Sequence, residues 1–207
     1  QKGTQITSNY KRYSFRSNLT KRFNDKFTLS ANISTSREII INDQDAFNSG
    51  DGSAILRSLT WDPTAATRDT DGNYILRSPR EVANNNYNPI RRFEMSTYER
   101  TPDRLNLTMN GTWKFANNFS YTFIGAVNTL HQDVEYYRVE GDFEATGFNN
   151  IGYTNNKNTG HQISNIVNWT NSYDKHNLDI TGVYEFSGSR ALNNSYSVSD
   201  VKTDNLY

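Results

Sequence analysis

The stretch LNLTMNGTWKF, residues 105–115, alternates apolar and polar side chains along its whole length. Leucine, Met109, Trp113 and Phe115 share one parity with a glycine, whereas asparagine, threonine and lysine occupy the other. Successive side chains of a β-strand point to opposite faces of a sheet, so this period of two predicts a strand with one apolar face and one polar face.

Five further stretches of the chain show the same alternation, although less strictly in some of them. They are residues 13–20, 27–34, 119–128, 162–170 and 178–186. No convincing helical period competes with them, so the sequence predicts an all-β fold built from these strands.

The connections between these strands are of two kinds. Short turns rich in Asn and Asp are predicted at Asn24-Asp25, Asn117-Asn118 and Asp174-Lys175, because such side chains bond their own backbone and tolerate left-handed geometry. Long connections occupy residues 37–104 and 130–159. This layout predicts an antiparallel up-and-down meander, typical of an outer-membrane β-barrel with short periplasmic turns and long extracellular loops.

Aromatic residues flank all three predicted short turns. They are Phe23 and Phe27 at the first, Trp113, Phe115, Phe119 and Tyr121 at the second, and Trp169 and Tyr173 at the third. Rings at one end of every strand indicate an interfacial girdle, but they could also cap the core of a soluble β-sandwich. The polar residues at the alternate strand positions would suit a water-filled lumen or a solvent-exposed face equally. A sandwich with loops this long would be poorly proportioned, however, which favours the barrel.

A closed membrane barrel needs about eight strands or more, and an open edge is not tolerated in lipid. We therefore expect the chain to form part of the wall of a larger barrel. No run of apolar residues is long enough for a transmembrane helix, but hydropathy alone does not detect a transmembrane strand.

The composition of the 207 residues excludes several functions. Lys and Arg total 22 and Asp and Glu total 22, so the chain lacks the positive charge that nucleic-acid binding requires. The absence of cysteine excludes disulfides and thiolate metal sites. There is no nucleophile elbow, no glycine-rich phosphate loop and no HExxH motif, so we predict no enzyme activity and no cofactor.

No metal site is predicted either. His131, His161 and His176 lack the spacing of metal ligands, and we interpret them as solvated histidines in or near loops. Residues 69–73 (DTDGN) place glycine too early for a calcium loop of the EF-hand type, so they predict a plain Asp-Gly turn.

Several stretches together resemble one family of proteins. Residues 9–19 (NYKRYSFRSNL) and 26–34 (KFTLSANIS) resemble the first-strand region of SusC/RagA-type TonB-dependent transporters of Bacteroidota. Residues 62–63 (DP), 71–74 (DGNY) and 87–90 (YNPI) follow in the order of that family, and residues 176–185 (HNLDITGVYE) are similar to its recurring strand after a short turn.

The resemblance implies that residues 1–207 belong to a TonB-dependent receptor barrel of about 22 strands, with the plug and the C-terminal strands outside this chain. It implies a protein of the cell outer membrane, in contact with lipid, that imports oligosaccharides or peptides. A SusD-like lipoprotein would cover the extracellular loops, and TonB would supply energy through the plug.

Aromatic side chains in the long connections are the candidate ligand-binding residues. They are Trp61, Tyr74, Tyr87, Tyr136 and Tyr137, with Tyr98 nearby. Rings beside acids and amides suit sugar recognition, but such residues also pack loops together. The alternative functions are a soluble or surface-attached all-β carbohydrate-binding module and a small passive porin.

Overall fold

The computed structural model describes residues 6–42, 58–77, 88–138 and 150–200. They form one antiparallel sheet of six strands in sequential order, with a short helix directly before the third strand. The elements are β1 (Asn9–Arg22), β2 (Phe27–Ile41), α1 (Pro89–Met95), β3 (Thr97–Ala116), β4 (Phe119–Arg138), β5 (Asn150–Tyr173) and β6 (His176–Ser199). The predicted all-β, up-and-down meander is confirmed, and it is consistent with a partial barrel wall.

The three short turns lie where the sequence predicts them. Asn117-Asn118 and Asp174-Lys175 each join two strands directly, and Asp174 has a left-handed φ of 50°. In the first turn the Asn24 carboxamide oxygen accepts hydrogen bonds from the N–H groups of Lys26 and Phe27, at 2.9 and 2.8 Å. The short polar side chain therefore closes the turn, as the composition of the turn predicts.

At the end of the sheet opposite the short turns, the strands are longer than the alternation predicts. β2 continues to Ile41 and β3 begins at Thr97, so the connection of residues 37–104 is shorter than expected at both ends. β4 continues to Arg138 and β5 begins at Asn150, so most of residues 130–159 is strand rather than loop. The sequence pattern fails here because polar residues occupy both faces of these strand ends, which removes the period of two.

Side chains are buried at the long-connection end of the sheet. Among the described residues, the buried apolar side chains are Ile40, Trp61, Phe93, Val134 and Tyr137. Asn42 joins β2 to β3 there: its N–H donates to the Tyr98 carbonyl at 2.7 Å, and its side-chain oxygen accepts from the Tyr98 N–H at 2.8 Å. The ends of β2 and β3 are thus held side by side although a long connection separates them in sequence.

None of the helical residues that the structure describes forms a segment long and apolar enough to cross a bilayer.

Candidate functional site

The strand register sorts the side chains of the sheet into two faces. One transverse row on the first face is Ala31, Met109, Gly125, Ile163 and Phe186. The neighbouring row on the opposite face is Ser30, Asn110, Ile124, Ser164 and Glu185. We call these the apolar face and the polar face.

The apolar face is open to its surroundings. Phe15, Trp113, Ile180 and Tyr184 are 58%, 51%, 59% and 69% exposed. Gly111 leaves an apolar depression of about 330 Å³, which is lined by Phe27, Leu29, Gly111, Trp113, Tyr121 and Phe123. An exposed apolar surface of this extent indicates contact with lipid or with another apolar partner.

Aromatic rings form a nearly continuous line at the short-turn end. The ring centroids of Trp113 and Phe115 are 5.7 Å apart, those of Phe115 and Phe119 are 5.6 Å apart, and those of Phe119 and Trp169 are 6.3 Å apart. Phe23 and Phe27 stack at 5.3 Å beside the first turn. The clustering of rings at this end, expected from their positions in the sequence, is therefore present across several strands.

The polar face carries charged groups held by neighbouring strands. Glu38 accepts a hydrogen bond from Arg104 at 2.8 Å and lies 3.8 Å from Arg12. Glu185 accepts hydrogen bonds from Ser164 and Gln162, both at 2.9 Å. Such a polar, hydrogen-bonded surface suits the inner wall of an aqueous channel.

Asn88 organises the connection between β2 and β3. It is only 4% exposed, and its amide nitrogen donates to the carbonyls of Thr67 at 2.6 Å and Ile75 at 2.9 Å. Its side-chain oxygen accepts from the N–H groups of Ile90 and Arg91. Asn88 is therefore the N-cap of α1, with a proline at the first helical position, and it fastens residues 67–75 to that helix.

A polar cluster joins the same two segments. The Glu94 carboxylate of α1 pairs with the Arg68 guanidinium and accepts a hydrogen bond from the Tyr74 hydroxyl at 2.5 Å. The guanidinium lies over the Tyr74 ring, 4.0 Å from its centroid. Partial burial, reinforced by the adjacent Glu94 carboxylate, raises the pKa of Tyr74 above its usual value.

The predicted Asp-Gly turn is present. The Asp69 carboxylate accepts hydrogen bonds from the N–H groups of Asp71 and Asn73, and Gly72 has a φ of 87°. The Asn73 N–H, helped by the Asn73 side chain and the other turn N–H groups, lowers the pKa of Asp69. Glycine adopts this positive φ without the steric cost that a Cβ atom would bring.

The candidate ligand-binding residues lie in different surroundings. Trp61 is buried and its indole N–H donates to the Ala65 carbonyl at 3.1 Å, whereas Tyr74 is half-buried under Arg68. Tyr136 and Tyr137 lie in β4 rather than in a loop, and Tyr137 is buried. Tyr87 lies outside the described residues. Ligand contact by these residues stays a prediction.

The interpretation of the histidines as loop residues is wrong, because all three lie in strands, although their side chains are exposed as expected. His131 lies in β4 and His161 in β5, where the His161 ring packs against Phe186 at 5.5 Å. His176 begins β6 directly after the last short turn. In the described part of the chain, no three His, Asp or Glu side chains come close enough together to hold a metal ion.

Sequence reasoning did not identify Asn88 or the Arg68–Glu94 pair. An asparagine directly before a proline is a capping signal that could have located α1. The Arg68–Glu94 pair has no such signal, because its partners are brought together only by the folded connection.

Solved structures share this fold. A chain of the RagAB peptide transporter aligns with a TM-score of 0.77 and 17% identity, over 96% of this chain and 22% of that one. Chains of the RagAB peptide importer in its closed-closed and open-open states align with TM-scores of 0.72 and 0.73, each at 17% identity over 97% of this chain and 22% of that one. The present chain thus spans about a fifth of their length, and the likeness concerns the fold.

No protein-family model matches the chain. No curated protein matches it either.

Proposed function

We propose that the chain forms part of the barrel wall of an outer-membrane TonB-dependent transporter that imports nutrients. The observation that carries this proposal is the two-faced, six-stranded meander. Nearly the full length of this chain aligns with part of the RagAB importer chains. The SusC/RagA-type sequence resemblance supports the same family. The role is transport rather than catalysis.

The dimensions of the apolar face suit a bilayer. On β4 the apolar face runs from Phe119 to Thr129 before the first basic residue on that face, His131. That stretch is about 34 Å long at about 3.4 Å per residue. In a strand tilted by about 35–45° it spans about 24–28 Å along the barrel axis. The apolar band of outer-membrane barrels is about 25 Å tall, so lipid would cover this face.

We propose peptides rather than oligosaccharides as the imported substrate, and a SusD-like lipoprotein as the partner over the long connections. Stacking of sugars needs free ring faces, but Trp61 is buried and the Tyr74 ring is covered by a guanidinium. The fold neighbours are described as peptide importers. A soluble carbohydrate-binding module would also leave an apolar face such as that of Ile180 and Tyr184 uncovered in water.

Membrane location is tested in the native cells, where the full-length protein is made. An immunoblot of fractionated cells, boiled and unboiled, should show a heat-modifiable outer-membrane band several times heavier than 23.8 kDa. A soluble band near 23.8 kDa without a heat shift would contradict the transporter proposal and favour the carbohydrate-binding module.

The role of the connection between β2 and β3 is tested by deletion in the full-length protein. Because Asn42 and Tyr98 are hydrogen-bonded neighbours, a short turn can replace residues 43–96 while the pairing of β2 with β3 is kept. Peptide uptake or lipoprotein binding should be lost, while the heat-modifiable barrel still assembles. Unchanged uptake together with unchanged lipoprotein binding would show that this connection has neither role.

A further inference from the structure

Three basic side chains meet at the edge of the apolar face. His131 on β4 pairs in register with Lys157 on β5, and Arg190 on β6 pairs with Thr159, the next position of β5 on the same face. Directly opposed residues have Cβ atoms about 5 Å apart, and diagonal ones about 7–8 Å apart. His131, Lys157 and Arg190, which we call the basic cluster, can therefore reach one small anion together.

The basic cluster is available for a ligand. Lys157 and Arg190 are exposed, and neither takes part in the ion pairs of the described residues. His131 is about half exposed and is held by the Asn155 amide at 2.6 Å. The hydroxyls of Thr129 and Thr159, which pair with each other in the row below His131 and Lys157, add neutral donors.

The location of the basic cluster sets the kind of ligand. The rows directly below it contain the threonines and then Val127 and His161, and the next row contains Gly125, Ile163 and Phe186. The cluster therefore lies at the end of the apolar face remote from the short turns. A molecule that carries both a negative headgroup and hydrocarbon chains would match the cluster and the apolar rows at the same time.

Asp133 lies 3.8 Å from the His131 imidazole, but neither Lys157 nor Arg190 has a carboxylate partner among the described residues. Asp103, opposite His131, lies 3.7 Å from Arg37, and Asp133 accepts hydrogen bonds from Tyr153 at 2.5 Å and Asn155 at 2.6 Å. Asp133 and Glu135 occupy the next positions of β4 on this face, farther from the apolar rows. The positive charge without an acidic partner is therefore that of Lys157 and Arg190, at the boundary of the apolar face, where lipid headgroups would lie.

We propose that the basic cluster binds the phosphate group of an outer-leaflet lipid whose acyl chains lie on the adjoining apolar face. This inference rests on the proposed membrane function, because only a membrane-embedded sheet presents this boundary to lipid. Long Lys and Arg side chains can reach a phosphate while their stems stay on apolar surface. Charge-assisted hydrogen bonds from Lys157 and Arg190 would provide most of the affinity.

The test compares lipid retention by the full-length protein purified from outer membranes in detergent. The probes are diphosphorylated lipid A, the same lipid after enzymatic dephosphorylation, and inorganic phosphate as a competitor, with bound lipid counted by native mass spectrometry. The test variant is Lys157→Gln with Arg190→Gln. The matched control is Arg16→Gln with Lys21→Gln, which removes the same charge from β1, away from the cluster.

The wild type and the control should retain the phosphorylated lipid, and the Lys157→Gln/Arg190→Gln variant should retain it at least about tenfold less. The dephosphorylated lipid should bind weakly to all three. Equal retention by the test variant and the wild type, or equal loss in the control, would overturn the proposal. Displacement of the lipid by inorganic phosphate at equal concentration would also overturn it, because it would indicate a site for the free anion.

The fractionation experiment separates this inference from the proposed function. If the protein is a heat-modifiable outer-membrane protein but retains lipid equally with and without Lys157 and Arg190, the lipid site alone is refuted. A protein that is absent from the outer membrane refutes both.

Discussion

The Tyr121 hydroxyl donates a hydrogen bond to the Asn165 side-chain oxygen at 2.6 Å. Asn165 is a polar residue on the apolar face, in one row with Leu29, Gly111 and Phe123. In the proposed membrane location an unpaired carboxamide would be costly, whereas a partner on the neighbouring strand reduces this cost. The tyrosine therefore allows an asparagine to occupy a position that the alternation reserves for an apolar residue.

Tyr121→Phe should destabilise the full-length barrel by about 1–3 kcal/mol, because it leaves the Asn165 amide without its partner. The measurement is the unfolding midpoint of the heat-modifiable band. Adding Asn165→Leu to Tyr121→Phe should restore most of the loss, since both polar groups are then absent. If Tyr121→Phe unfolds at the wild-type temperature, the hydrogen bond contributes nothing to stability.

Gly152 is a second position where one neighbour fixes the residue type. A Cβ atom at Gly152 would overlap ring atoms of Tyr136, with which Gly152 pairs in register, whereas a Cβ at Gly182 would meet nothing within 4 Å. Gly152→Ala should therefore destabilise the barrel by about 1–3 kcal/mol through overpacking. Gly182→Ala is the matched control and should leave the unfolding midpoint unchanged or slightly raised.

The double variant Gly152→Ala/Tyr136→Ala tests the cause. It should be more stable than Gly152→Ala with Tyr136 intact, because the smaller side chain frees the space over the strand. Equal unfolding midpoints for Gly152→Ala and Gly182→Ala would mean that the Tyr136 ring can move aside at no cost.

The regular part of the fold could be predicted because each residue there carries its own signal. The alternation assigns Phe123 and Met109 to the apolar face, and the composition of Asn117-Asn118 predicts a turn. The strand ends lack this signal. The sequence predicts a loop at Tyr136 because the tyrosines, acids and amides around it lie on both faces of β4 and β5, so that only pairing with the neighbouring strand reveals the element.

The candidate site was less predictable for a different reason. Trp61 and Tyr74 are candidates because they are aromatic residues in a long connection, but a sequence does not show whether a ring face is free or covered. Tyr74 is covered by an arginine six residues earlier and held by a glutamate in α1. Such contacts between distant segments depend on how the connection folds, and no local periodicity encodes them.

Asn88→Ala should loosen the connection between β2 and β3 without affecting the sheet. The variant removes the N-cap of α1, for which about 0.5–2 kcal/mol is typical, and it leaves the Thr67 and Ile75 carbonyls without the Asn88 amide. Limited proteolysis of the full-length protein should cleave within residues 58–95 several times faster, whereas the midpoint of the heat-modifiable band should not change.

Asn73→Ala is a suitable comparison, because Asn73 is exposed and its main hydrogen bond to Asp69 comes from the backbone N–H, which the substitution keeps. Its cleavage rate should stay near that of the wild type. Equal cleavage of Asn88→Ala and Asn73→Ala would contradict the central role of Asn88.

The Asp69 turn should open as the pH falls. The pKa of Asp69 in the folded protein lies below its ordinary value of 3.8, so its carboxylate contributes stability that is fully present above that value. This contribution is lost as the pH falls through the lowered folded pKa, because a protonated carboxyl accepts the Asn73 and Asp71 N–H groups poorly. Amide hydrogen exchange of Asn73 and Ile75, corrected for intrinsic rates, should accelerate there.

Asp69→Asn should remove this pH dependence and give faster exchange at neutral pH, because a neutral amide is a weaker acceptor than a carboxylate. Asp71→Asn should keep the wild-type pH profile, since Asp71 contributes its backbone N–H to the turn rather than its carboxylate. If the two variants show the same profile, the acid sensitivity of residues 67–75 comes from another group. A profile that stays flat in the wild type down to the lowest pH at which the barrel remains folded would show that Asp69 does not stabilise the turn through its charge.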